Sequence, residues 1–130
     1  SDPGDTGSTV PFAEADFNAA DTWIRSRTKD ISNIIGFHCQ QCAEKYLKAR
    51  LEEETLTVPK VHSLTALLAL LLPKEPLWAS FTPSLLLLNN YAVKFRYPGH
   101  AATRADAKAA LKACRSIRAE VRLSLGLPKK

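Results

Sequence analysis

Cleaving a phosphodiester takes one group that stabilises charge building on phosphorus and one that moves a proton near neutral pH, and arginine and histidine are the side chains suited to these tasks. Arg96 and His100 stand close in sequence, separated by Tyr97, Pro98 and Gly99, and are the candidate pair. The competing reading makes them the flanks of a Pro-Gly turn, with Arg96 packed or paired structurally. Lys94 stands farther from His100 but lacks the planar fork that grips a phosphate through two hydrogen bonds.

Cys39 and Cys42 form a C-x-x-C, with His38 adding an i, i+4 pairing to Cys42. A structural zinc needs four ligands in a tetrahedron, and the remaining thiol, Cys114, is a lone residue far along the chain, so no metal site is expected. On helical spacing both cysteines share a face with Ile35 and Tyr46 and read as small buried hydrophobes. In the same stretch Gln40, Glu44 and Lys48 step along one side at i, i+4, i+8, the pattern of a solvated face with a Glu44–Lys48 ion pair. Gln41 and Lys45 form a neighbouring row that meets a phosphate or a base edge if a partner surface closes over it.

The clearest electrostatic feature lies at the C-terminal end. The net charge is +6 over residues 104–130 and −1 over everything before them, so attraction for a polyanion is concentrated in one helix-length segment. At 100° per residue Arg104, Lys108, Lys112, Arg115, Arg118 and Arg122 fall in one sector, and Ala107, Ala110, Leu111, Cys114, Ile117, Val121 and Leu125 in its neighbour. One face docks and the other is cationic. Such a stripe is either an ordinary soluble surface or a phosphate-binding one, in which affinity falls with salt as counterions are released. A membrane-surface helix is disfavoured, because the core needs the apolar sector. No glycine-rich phosphate loop, catalytic carboxylate pair or G-x-S-x-G supports an ordinary enzyme class, and no cofactor is expected.

The elements that must position these residues are all helical. Residues 1–10 are rich in Gly, Ser, Thr and Asp and read as a disordered lead-in. A first helix is expected to open at Pro11 and to bury Ala15, Ala19, Ala20, Trp23 and Ile24 before ending near Lys29. A second, from Ser32 to Glu54, is apolar on more than one side, with Leu47 and Leu51 off the cysteine face, and belongs near the middle of a bundle. His62 reads as a turn residue ordering the loop before Ser63, which caps a third helix over Leu64–Leu72 that Pro73 and Pro76 stop. Thr82-Pro83 opens a fourth, reaching Phe95. Thr103 and Asp106 form a capping-box variant opening a fifth at Arg104, which closes near Leu125 with Gly126 beyond it. Trp23, Trp78 and Phe81 read as core. The fold class expected is all-α, a five-helix up-and-down antiparallel bundle, with a domain over residues 11–126 and a basic tail over 127–130.

The chain has 130 residues, one domain's worth. No apolar run is long enough to cross a bilayer, and the first residues do not form a signal peptide. The absence of methionine is what a processed or excised start gives. An odd count of three cysteines argues against a disulfide framework and for free thiols in a reducing cytoplasm.

The segment Phe37-His38-Cys39-Gln40-Gln41-Cys42-Ala43-Glu44-Lys45-Tyr46-Leu47-Lys48-Ala49, then His62-Ser63-Leu64, Asn90-Tyr91, Arg96-Tyr97-Pro98-Gly99 and Asp106-Ala107, resembles the HEPN domain family in order and content, from about Phe17 to Leu125. The resemblance implies a helical bundle that dimerises and an association with nucleotides or RNA. It also admits ribonuclease toxins paired with a small nucleotidyltransferase antitoxin. Ribonuclease members carry Arg, then four to six residues, then His; Arg96 and His100 are one residue short of that, which favours their structural reading. The function expected is therefore a binding and interaction module, a homodimer taking a nucleotide or RNA through Gln41, Lys45, Lys48, Arg96, Arg104, Lys108, Lys112 and Arg115, with a nucleotidyltransferase as a protein partner. The alternatives are a ribonuclease using Arg96 and His100, and a purely structural dimerisation domain.

Overall fold

The computed structural model describes residues 3–26, 31–94 and 101–129. Arg96 and His100 lie outside the described residues. The described chain forms five α-helices and no strand: α1 (Pro3–Trp23), α2 (Ser32–Glu53), α3 (Leu64–Leu71), α4 (Thr82–Lys94) and α5 (Arg104–Ser124), with a 3₁₀ helix over Pro76–Phe81 between α3 and α4. The all-α bundle expected from the periodicity is the fold observed.

α2 is the central helix and packs against α1, α3, α4 and α5. Its position follows from its two apolar sides. Ile35, Cys39, Cys42, Tyr46 and Ala49 are wholly buried on one, and Leu47 and Leu51 are buried off it, whereas Phe37 stays half exposed. Gly36 makes room for α4: a Cβ there would lie 1.7 Å from Cε1 of Tyr91. Across that contact the Tyr91 hydroxyl donates to the Ser32 carbonyl at 2.6 Å. On α4, Leu85 and Leu88 are fully buried while Leu86 and Leu87 are 46% and 40% exposed, as expected for four consecutive leucines on a helix that faces one core.

The helix ends obey local chemistry. Ser63 Oγ accepts from the Ala66 amide at 3.3 Å and so caps α3. At α5 the capping box is complete, Asp106 N donating to Thr103 Oγ1 at 3.1 Å and Thr103 N to Asp106 Oδ2 at 2.8 Å. α5 closes in a Schellman turn, with Gly126 at φ +76°, its amide bonded to the Leu123 carbonyl and that of Leu127 to Arg122. α2 closes the same way, but the left-handed position holds Thr55 at φ +57°, a costly conformation for a β-branched residue.

Three expectations need correction. α1 begins at Pro3, so most of the stretch read as a disordered lead-in is helical and Pro11 lies inside the helix; Pro3 takes the first-turn position, where its missing N–H costs nothing. The buried stripe of α1 is Ala13, Asp16 and Ala20, with Phe17 and Ile24 beside it, and Trp23, at the margin of that stripe on the last residue of the helix, is 41% exposed. Trp78 is core, and Phe81 is partly buried against it at 6.3 Å between ring centroids. Cys114 is not isolated. α5 packs on α2, and interaction with the Cys114 thiol, followed by burial, pushes both α2 thiols up. All three cysteines are free and buried, so the expectation of small core residues holds.

Candidate functional site

Two polar surfaces bear on function, a seam along α2 and a cationic row on α5. In the seam, buried Asp16 of α1 holds two side chains of α2: its Oδ1 meets His38 Nδ1 at 2.8 Å and its Oδ2 accepts from Lys45 Nζ at 2.5 Å. A carboxylate oxygen only accepts, so His38 Nδ1 donates in this bond. One turn along, Glu44 gathers Gln40 Nε2 at 3.3 Å, Lys48 Nζ at 3.2 Å and His62 Nδ1 at 3.1 Å. Gln41 Nε2 donates to Gln40 Oε1 at 2.7 Å. The expected Glu44–Lys48 pair is present, and His62 orders its loop as read. The row as a whole, however, is not a solvated face, since Gln40 and Glu44 are 6% and 5% exposed. The His62 loop folds over them. Sequence reasoning also missed the Asp16–His38 contact, because the two residues sit on different helices and no local spacing joins them.

The seam neutralises itself. Lys45 and Lys48 each face a carboxylate already in place, so a phosphate approaching either must displace Asp16 or Glu44.

The α5 row divides. Arg118 and Arg122 turn into the bundle: Arg118 binds Glu14 through Nε at 2.7 Å and Nη2 at 2.6 Å and lies 4.3 Å from the centre of the Phe17 ring, and Arg122 Nη1 reaches Tyr46 Oη at 3.1 Å. Tyr46 in turn donates to Glu14 at 2.5 Å. Burial works to raise the Glu14 carboxyl, but the bonds from Arg118 and Tyr46 and the charges of Arg118 and Arg122 hold it below the usual range. Burial and the bond to Glu14 push the Tyr46 phenol up. These two arginines are structural, tied to α1 and, through the Lys129 and Pro128 carbonyls, to the chain end.

The outer residues remain. Arg104, Lys108, Lys112 and Arg115 are all exposed within one sector of α5. Arg104 donates to the Ser26 and Ile24 carbonyls at 3.3 and 2.7 Å, closing the end of α1 while keeping its charge at the surface. Arg115 binds Asp21 at 2.6 Å, a carboxylate it shares with Arg25. The Lys108 and Lys112 side chains make no hydrogen bond or ion pair among the described residues.

Residues 12–124 match a family model described as HEPN domain. The chain belongs to the HEPN family. Comparisons with curated proteins and with solved structures return no match. In sequence, Arg96 and His100 fall on the connection between α4 and α5. Both described ends of that connection are tied to the start of α2, by Tyr91 to Ser32 and by the Ala102 amide to Asn33 Oδ1 at 2.8 Å. Among the described residues no group of His, Cys, Asp or Glu is disposed to hold a metal, and no helix is long and apolar enough to cross a membrane.

Proposed function

We propose that this HEPN domain is a binding and interaction module that takes a phosphate-bearing ligand, a nucleotide or RNA, on the outer row of α5. The supporting observation is that the Lys108 and Lys112 side chains make no hydrogen bond or ion pair among the described residues, while Arg104 and Arg115 flank them on the same exposed sector and Arg115 pairs with Asp21. Cations already neutralised gain little from a phosphate, whereas free surface cations gain the released counterions. Gln41, Lys45 and Lys48 come second, because their partners must first be displaced. The module acts as a homodimer, for which the exposed Leu86 and Leu87 on α4 supply apolar surface, and its protein partner is a nucleotidyltransferase. Three free thiols suit the cytoplasm.

Titrating purified protein with a single-stranded RNA tests the reading. Saturable binding that weakens steeply with salt supports it, and absent or salt-independent binding refutes it. The ribonuclease alternative rests on Arg96 and His100. RNA degradation that is lost in His100→Ala would replace the binding reading with an enzymatic one. A sedimentation mass near 14.3 kDa at micromolar concentration would rule out the stable dimer.

A further inference from the structure

The 3₁₀ helix over Pro76–Phe81 points its side chains two ways. Trp78 turns inward and is 3% exposed, whereas Leu77 is 86% exposed, the most open of the large apolar side chains described. Between this helix and α5 lies a cavity of about 320 Å³, lined by Leu77, Trp78 and Phe81 and rimmed by the carboxylates of Glu75 and Glu120. Glu120 sits ~24 Å along α5 from Arg104, at 1.5 Å per residue, so the cleft is separate from the N-terminal part of the cationic row. Its volume is at the low end for small-molecule sites and suits one or two side chains better than a cofactor.

The rim has unused acceptors. Arg50 Nη2 and Ser124 Oγ both bond Oε1 of Glu75, at 3.3 and 3.0 Å, which leaves Oε2 without a donor among the described residues. Glu120 is exposed and makes no hydrogen bond or ion pair among them. Arg50 already answers the Glu75 charge, so Glu120 is the rim carboxylate with no ion pair among the described residues. An apolar floor beside it accepts a side chain with an apolar stem and a cationic head, the build of lysine and arginine.

We infer that this cleft docks a basic-apolar segment of a partner protein, with an aliphatic side chain over Leu77 and Phe81 and an adjacent lysine or arginine reaching Glu120 and Glu75. The inference is independent of whether the α5 row binds RNA. The test is an amide NMR titration of the whole chain with a capped hexapeptide, Ala-Leu-Lys-Arg-Leu-Ala, and with its counterpart carrying two glutamates in place of the basic pair. The basic peptide is expected to shift the amides of Leu77, Ser80, Phe81 and Glu120 and the Trp78 indole saturably, and the acidic one to leave them unmoved. Leu77→Ser and Glu120→Lys should each weaken the basic peptide about tenfold, with an unchanged melt because both side chains are exposed. The inference is overturned by no saturable shift at millimolar peptide, by equal binding of the acidic peptide, or by affinity indifferent to Leu77→Ser, which would reduce the effect to bulk charge. Shifts at these amides that grow with protein concentration in the absence of peptide would also overturn it, by making a second copy the occupant.

Discussion

Replacing Gly36 by alanine puts a methyl group into the space of the Tyr91 ring, with Cε1 at 1.7 Å and Cδ1 and Cζ at 2.2 Å. These are ring atoms of a side chain 5% exposed, so the ring cannot swing away without leaving the core. Overpacking of this kind costs about 1–3 kcal/mol, and a contact this short belongs at the upper end. Displacing the ring also breaks the Tyr91–Ser32 bond, for a further ~1 kcal/mol. Alanine returns about 1 kcal/mol as the better helix former. The net expectation is a loss of about 3 kcal/mol, or roughly 10 °C in melting temperature for a domain of this size. Thermal melts followed by circular dichroism measure it. Gly36→Ala combined with Tyr91→Leu should be less destabilised than the sum of the two single changes by at least ~1 kcal/mol, because the methyl group then finds room. A Gly36→Ala melt within about 2 °C of the native one, or strict additivity in the pair, would refute the reasoning. Since Tyr91 ties the start of the Arg96–His100 connection to α2, any RNA activity resting on those residues should fall with the same change.

Thr55→Gly should stabilise the fold by about 0.5–1 kcal/mol by relieving the left-handed conformation at φ +57°, seen as a higher urea midpoint; a lower midpoint would contradict it. Glu14→Gln removes a carboxylate whose folded pKa lies below its ordinary value near 4.5. A depressed carboxylate contributes stability that is present above its unfolded pKa and lost as pH falls through the folded one. The variant should therefore be about 2 kcal/mol less stable at pH 7, with the gap closing below about pH 4, and a gap independent of pH would exclude this linkage. Arg96→Ala should weaken RNA binding with little change in melting temperature. A lower melting temperature with unchanged binding would make Arg96 structural.

The helices and their caps were readable because their signals are local. Ser63 before Leu64, Thr103 with Asp106, and Gly126 after Leu125 each act within a few residues, and the structure uses all of them. What stayed hidden depends on which faces meet. Cys114 joins Cys39 and Cys42 only because α5 lies along α2, and Gln40 and Glu44 become buried only because the His62 loop returns over them. Division of the α5 row into inner and outer cations was likewise set by α1, whose Glu14 and Asp21 are a hundred residues away in sequence. A signal for it existed: these acids recur at i, i+7, one face of a helix able to receive a basic partner. The 3₁₀ helix was missed because Pro73 and Pro76 were read only as stops, although Pro76 also suits a first helical turn.

Binding of phosphate by the outer α5 row is the central claim, and the salt dependence of RNA affinity tests it most directly. Single-stranded RNA should be titrated against the native chain and against Lys108→Ala combined with Lys112→Ala at several salt concentrations. Each phosphate contact on a single strand contributes a slope of about 0.7 in log affinity against log salt, so losing two should flatten the slope by about 1.4. An equal slope in the double variant, or native binding indifferent to salt, would contradict the account and leave the α5 row an ordinary solvated surface.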